Sequence, residues 1–557
     1  MTAALPALLA FAVVALPVGA GLLGTLLPAF GLLPAISAET PSVDPWRRLL
    51  GEPGIAQAAL LSLGTGLAAT ALSLLLVALF CATAHGGRAF ARAQAFAAPI
   101  LATPHAALAI GILVLIAPSG LLLRLVSPWA TGLDLPPDIA TVNDPWGLAL
   151  LFGLVVKEAP YLLLMTLAAL NQVPAARLVA VATSLGQPKP VAWLKVVFPL
   201  VYRQIRLPVF AVLAYSVGVV DVALILGPTT PPTLAPMLLR WATDPDLSLL
   251  LPASAGAVLL LGLALAAAVA WLTAEQVAAR IGRGWAMSGW RGGATLLRAG
   301  SVLLPAALLA AFGALAALLL WSVAGPWRFP DAWPDRLQAD TWAAQAGALA
   351  APAVNSLAAA LIATGIALLL AVAALEARAR HGAAALPWLL ALTPLPLLLP
   401  QAGFLLGLQT ALLALGLDGG LAAVVLAHLV FVLPYMLLSL SDPYGALDPR
   451  LPRVAACLGA SPFRVFVAVK LPVLLRPLLV AVAVGIAVSV AQYLPTLLAG
   501  AGRFPTLTTE AVALAAGGDR RVLGVFAVAQ AAIPLLAFGV ALAVPRLLWR
   551  NRAGLRA

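Results

Sequence analysis

Continuous apolar runs of about 20 residues follow one another through the whole 557-residue chain, parted by short basic or Pro/Gly-rich stretches. As a helix, a run of that length crosses the hydrocarbon core of a bilayer, which is about 30 Å thick. Only 9% of the residues are charged, 63% are hydrophobic, and mean hydropathy is +1.06. Soluble domains carry roughly a quarter charged residues, so this chain cannot cover a water-facing surface of its size. The runs are continuous rather than alternating, which points to helices and excludes a barrel. The fold class is therefore an all-α integral membrane protein.

About twelve spans can be placed: 5–33, 55–84, 95–118, 146–170, 207–228, 249–273, 301–322, 351–375, 386–413, 421–441, 477–500 and 523–545. The first thirty residues lack a basic leader and form too long a run for a signal peptide, so they read as a retained span. Lys and Arg set the orientation. With the N-terminus inside, the inner loops hold Arg177, Lys189, Lys195, Arg203 and Arg206, then Arg280, Arg283, Arg291 and Arg298. In the second half they hold Arg450, Arg453, Arg464, Lys470 and Arg476, with Arg546, Arg550, Arg552 and Arg556 after the last span. Most acids, such as Asp134, Asp138, Asp144, Asp331 and Asp335, fall in the outer loops. Both termini are thus expected in the cytoplasm. Arg47, Arg48, Arg520 and Arg521 go against the rule. The net charge of +12 is accounted for by these inner loops, and no soluble basic domain suited to nucleic acid exists. The two cysteines, Cys81 and Cys457, form no disulfide framework or CxxC pair and are expected to be small apolar fillers.

The two halves repeat. His85-Gly86 answers to His381-Gly382, Pro104 and Gly111 to Pro400 and Gly407, and Pro160-Tyr161 to Pro434-Tyr435. Later, Ser216 answers to Ser489, and Pro232-Thr233 to Pro505-Thr506. Six spans return the chain to its starting side, so the repeats are parallel six-helix units: residues 1–273 and 301–557, joined by a basic, Gly-rich cytoplasmic linker at 274–300. Each unit carries one conspicuous polar loop, 177–199 in the first and 450–472 in the second. Val181, Ala182, Gly186 and Pro199 recur at the same spacing as Val454, Ala455, Gly459 and Pro472. A Gly permits a tight turn, and a Pro fixes the start of the next span.

Ala, three residues, Gly, about nine residues, then apolar-x-apolar-Pro resembles the EAA loop of the permease subunits of ABC importers. Two copies before the fifth span of each unit extend that resemblance over essentially the whole chain. The acidic residue that opens the family motif is absent: Ala180 and Arg453 stand there. In more detail the chain is similar to fused permeases of ferric-iron, thiamine and putative spermidine/putrescine importers. The stretches 489–496 and 502–510 look especially like an uncharacterised thiamine-permease-like branch. The resemblance implies a bacterial inner-membrane subunit whose two loops dock on a homodimeric cytoplasmic ABC ATPase. It also implies a periplasmic or tethered solute-binding protein that delivers the solute. No cofactor is expected in this chain, and ATP-Mg would belong to the partner: a phosphate-binding loop needs Gly-Lys-Ser/Thr, and none of Lys157, Lys189, Lys195 and Lys470 follows a glycine.

Ionisable groups inside spans are expensive and mark function by default. Lys157 and Glu158 lie in span four, Asp221 in span five and His428 in span ten. Adjacent in sequence, Lys157 and Glu158 do not share a helix face, so each requires its own partner or an end-of-helix position. The expected translocation pathway is Ser216, Asp221, Ser489, Gln492 and Tyr493. His105 and His428 read as packing or hydrogen-bonding residues, with no metal site. Thiamine, ferric iron or a polyamine is what the resemblance implies as cargo, with an oxyanion as the alternative. An ion-coupled secondary transporter using Asp221 and Glu158 is the competing class.

Overall fold

The computed structural model describes residues 4–550 and is 77% helical. Arg552 and Arg556 of the expected basic tail lie outside the described residues. Twelve principal helices follow the expected spans: α1 Leu5–Ala29, α2 Ile55–Ala84, α3 His105–Ile116, α4 Leu148–Leu170, α5 Phe198–Gly218 and α6 Leu250–Met287 in the first half. In the second half they are α7 Leu303–Val323, α8 Asp340–His381, α9 Ala402–Ala414, α10 Leu421–Gly445, α11 Leu471–Val490 and α12 Arg520–Leu548. Eleven helical stretches are long and apolar enough to cross a membrane, or twelve if the pair Pro387–Leu398 and Ala402–Ala414, bent by 102°, is one span. In hydrocarbon every backbone polar group must be satisfied within the chain, and helices do this locally.

The spans break where the repeats place proline. A helix at Arg88–Ala102 ends before Pro104 and α3 begins; the bend before α9 falls at Pro400. Each proline removes a donor and pushes the residue before it out of helical geometry. The expected single spans 95–118 and 386–413 are thus each two pieces. Span five also divides: α5 stops at Gly218 and a short helix, Asp221–Leu226, follows; its counterpart is Leu494–Ala499 after α11. The stretch 274–300 is largely helical, because α6 continues through the Ala/Gln/Arg-rich residues after 273 and a short helix spans Ala294–Gly300.

The two repeats are interlocked. α1 lies along α9, and α7 along α3. One apolar core gathers buried side chains of α2 to α5 with those of α7 and α12; the other gathers α8 to α11 with α1 and α6. Each core is therefore built chiefly from the four middle helices of one repeat and the first and last of the other, with Ile55, Ala58, Leu213 and Val217 of α2 and α5 also reaching into the second. Hydrophobicity cannot drive this crossing in lipid, where small residues that let backbones approach do the work. The repeated glycines supply them: a Cβ on Gly407 would sit 2.0 Å from the Gly21 carbonyl oxygen, and one on Gly111 2.7 Å from that of Ala314. The pairing recurs at the outset of the helices after the span-five breaks. Ser62 Oγ accepts the Leu234 N–H at 2.8 Å, and Ser356 Oγ accepts that of Leu507 at 2.9 Å.

Candidate functional site

Both polar loops fold alike, for reasons readable in their residues. Helices Ala175–Ser184 and Arg450–Cys457 end with Gly186 at φ +85° and Gly459 at φ +80°, in the left-handed region that glycine adopts without steric cost. Gly186 N–H donates to Thr183 O and Gln187 N–H to Ala182 O; Gly459 and Ala460 repeat this on Ala456 and Ala455. These are the paired bonds of a Schellman cap. A short helix follows each turn and opens into a π-turn, Trp193–Val197 in one loop and Phe466–Lys470 in the other. Pro199 and Pro472 explain the widening: neither can donate to the carbonyl four residues back, and the ring crowds that carbonyl. The Phe198 and Leu471 N–H groups reach five residues back instead, to Trp193 O and Phe466 O.

The motif pairs split by environment. Val181 and Val454 are 56% and 59% exposed, and Leu185 and Leu458 are 70% and 82% exposed. Ala182 is buried and Ala455 half-buried, while Ala180 and Arg453 at the departing position are both exposed. Large apolar side chains therefore face outward at matching places on otherwise basic loops. Cys457 shares this exposed helix, contrary to its reading as a filler; Cys81 is buried as expected.

How the loops are tethered is not readable from their own residues. Lys195 donates to the Ser288 and Trp290 carbonyls at 3.1 and 2.9 Å, with its ammonium 5.0 Å from the centre of the Trp285 ring. Arg291 Nη2 donates to the Leu185 carbonyl at 3.1 Å, over Gly186. The stretch joining the repeats therefore sits on the first loop. In the second, Lys470 reaches both oxygens of Glu376 at 2.7 and 2.8 Å, and Arg380 shares that carboxylate at 2.7 Å.

Deeper, the ionisable groups each have partners of their own. Lys157 is buried and donates to the carbonyls of Ile100 at 2.9 Å, Leu101 at 3.2 Å and Thr103. These are the carbonyls freed where the helix stops before Pro104, so this cation caps a break. Glu158 takes the other direction: its Oε1 lies 3.3 Å from His105 Nε2, and the His105 ring packs on Tyr215 at 4.7 Å. Asp221 is buried in the first turn of Asp221–Leu226, beside Tyr215 and within electrostatic range of Tyr493. It thus follows the break in span five instead of lying inside a continuous helix. Glu158 is likewise in range of Tyr161 and Tyr435, the repeated tyrosines.

The other expected pathway residues gather separately. His428 Nδ1 lies 2.7 Å from Ser489 Oγ and Nε2 lies 2.8 Å from Thr496 Oγ1; Gln492 Nε2 donates to the His428 carbonyl at 3.4 Å. Ser489 and Gln492 therefore lock α10 to α11 and to the short helix after it. Ser216, their first-half counterpart, is buried and makes no hydrogen bond to a described residue. Tyr493 touches both apolar cores, at the seam between the repeats. The carboxylates, His105 and Tyr215 thus belong to the first repeat, and the second repeat brings Tyr435 and Tyr493 within electrostatic range of them. Sequence reading had not joined His105 or Tyr215 to this centre, because only the breaks bring them together.

No family model matches the chain. Over 520 residues it is 36% identical to the inner membrane ABC transporter permease protein YnjC of Escherichia coli (strain K12), across 92% of this chain and 93% of that protein. A match of that extent runs through both halves of the chain. The chain belongs to the ABC transporter permeases and is a multi-pass protein of the inner membrane.

Proposed function

We propose that the chain is the fused membrane subunit of an ATP-driven importer. In this reading residues 1–273 and 301–557 each act as one permease unit, and both termini lie in the cytoplasm. Each unit offers its Gly-capped loop to one copy of a separate ABC ATPase, and closure of the ATPase dimer swings the units between inward- and outward-facing states. The observation that carries the reading is the twin loop: the same cap, π-turn and exposed pair, Val181 with Leu185 and Val454 with Leu458. A rigid helix with an outward apolar face suits force transmission to a soluble partner. A solute-binding protein would load the opposite face. Glu158 and Asp221, set among tyrosines from both repeats, favour a cationic cargo over an oxyanion, because two carboxylates face Lys157 as the one lysine in range and an added anion would meet like charge.

The test is the pair Gly186→Val and Gly459→Val. A β-branched residue is strained at either φ, at about 1–2 kcal/mol each, while the spans are untouched. The double variant is expected to insert at the parental level yet retain less than about a tenth of the co-purifying ATP hydrolysis, since 1.4 kcal/mol is tenfold. Parental retention of ATPase activity would refute the coupling role. Uptake into vesicles without ATP, lost when the ion gradient is dissipated, would instead favour ion-coupled transport through Glu158 and Asp221.

A further inference from the structure

Arg520 and Arg521 break the charge rule, and the structure gathers them around a cavity at the end of the bundle opposite the two loops. The cavity has a volume of about 370 Å³ and is lined by Trp321, Trp327, Arg520 and Arg521 with Gly325 and Pro326, and by Asp519. It forms where α7 ends, α12 begins and the short helix Leu121–Val126 folds back after α3. Arg124 of that helix, 3% exposed, builds the wall behind it. Its guanidinium donates to the carbonyls of Ser119 at 2.9 Å, Arg328 at 2.6 Å and Asp331 at 3.3 Å. It also lies 4.7 Å from the Trp327 ring centre and 5.5 Å from that of Trp321.

The charges do not balance. Asp519 is committed to Arg521, whose Nη2 is 2.7 Å from its Oδ2 and whose backbone N–H also donates to it. Those bonds hold the Asp519 carboxyl below the usual carboxylate range. Arg520 lies over Trp321 at 5.5 Å and spends one donor on the Ser119 carbonyl at 3.0 Å. No ion pair joins Arg520 or Arg124 to a carboxylate among the described residues, although Asp331 lies within electrostatic range of Arg124. Two guanidinium groups with one neutralised pair leave a net positive pocket walled by indoles. An anion in the cavity would restore the balance.

The surroundings identify the source of that anion. The cavity lies at the level where membrane helices begin and end, where Trp is enriched. Leu122, Leu125 and Val126 on the short helix, Trp129 after it and Leu319 on α7 are all exposed, as suits contact with acyl chains rather than with a soluble partner. A volume near the lower end of ligand pockets, about 300–1,000 Å³, takes a headgroup and leaves the chains outside. Basic pockets between membrane helices bind anionic headgroups at the cytoplasmic face, and the same pairing of guanidinium with phosphate is available at this opposite end. We propose that this cavity binds the phosphate of an anionic phospholipid, with Arg520 as the direct contact and Arg124 as the fixed positive wall that positions the indoles.

The test uses the full-length protein in detergent and the variant Arg520→Gln, which keeps a donor toward Ser119 and removes the charge. Thermal unfolding is followed after adding phosphatidylglycerol, phosphatidylcholine or inorganic phosphate, and bound lipid is counted by native mass spectrometry. Phosphatidylglycerol is expected to raise the melting temperature of the parent well above the phosphatidylcholine value, with one such lipid retained. Arg520→Gln should lose that increment and that lipid while matching the parent in phosphatidylcholine. An equal increment in the variant, or none in the parent, overturns the proposal. Equal stabilisation by inorganic phosphate would overturn the lipid as the source. A photoreactive residue at Trp327 that labels a protein instead of lipid would overturn it in favour of a docking partner.

Discussion

Replacing Gly407 by leucine is expected to leave almost no folded protein. The added Cβ would lie 2.0 Å from the Gly21 carbonyl oxygen and 2.3 Å from the Thr25 nitrogen, both backbone atoms of another helix that cannot swing aside. Overpacking a core side chain typically costs about 1–3 kcal/mol; here the whole α1–α9 crossing must separate. Fluorescence-detected size exclusion should show the monodisperse peak collapse. Gly365→Leu, where nothing lies within 4 Å of the new Cβ, should run like the parent. A stable Gly407→Leu protein would mean that α1 does not cross α9 as described. Gly111→Leu is expected to follow Gly407→Leu, since it makes the related contact with α7.

The second large effect is expected at Lys157. Its ammonium serves three carbonyls at the end of Arg88–Ala102, and methionine would fill the space without serving any. Each buried acceptor left unpaired costs about 1–3 kcal/mol, so Lys157→Met should lose about 3 kcal/mol or more in denaturant unfolding. Glu158→Gln keeps an acceptor beside His105 and should cost less than about 1 kcal/mol. Were both variants equally stable, Lys157 would not be the cap of the break, and its burial would have to answer to transport.

Why some of this was legible in the sequence, and some not, follows from the range of the forces involved. The spans declare themselves because a bilayer demands about 20 apolar residues at a time, and every one of the twelve principal helices overlaps an expected run. Gly186 and Gly459 were legible because a left-handed cap is a local property of two or three residues. The π-turns were equally local, signalled by Pro199 and Pro472, but a proline near a helix start usually passes for ordinary. Asp221 was assigned to a continuous span because hydropathy averages over the break at Val219 and Val220. Most hidden were contacts between distant segments: His105 on Glu158, Arg291 on Leu185, Lys470 on Glu376. Nothing in the spacing of those residues announces a partner, since each pair is made by the crossing of helices from different parts of the bundle.

The crossing of α1 over α9 also sets a timetable. The Thr25 hydroxyl accepts the Gly407 N–H at 3.1 Å across 382 positions of chain, and a ribosome adds about 5–20 residues per second. The first helix therefore waits about 20–75 s in the bilayer before its partner is made. Throughout that interval Gly21, Gly24 and the Thr25 hydroxyl have only lipid or a chaperone of insertion against them. Its apolar side chains can tolerate the delay, whereas the small-residue stripe makes it a helix prone to choose a wrong neighbour. Birth order, more than final stability, is where a lesion in α1 would first be felt.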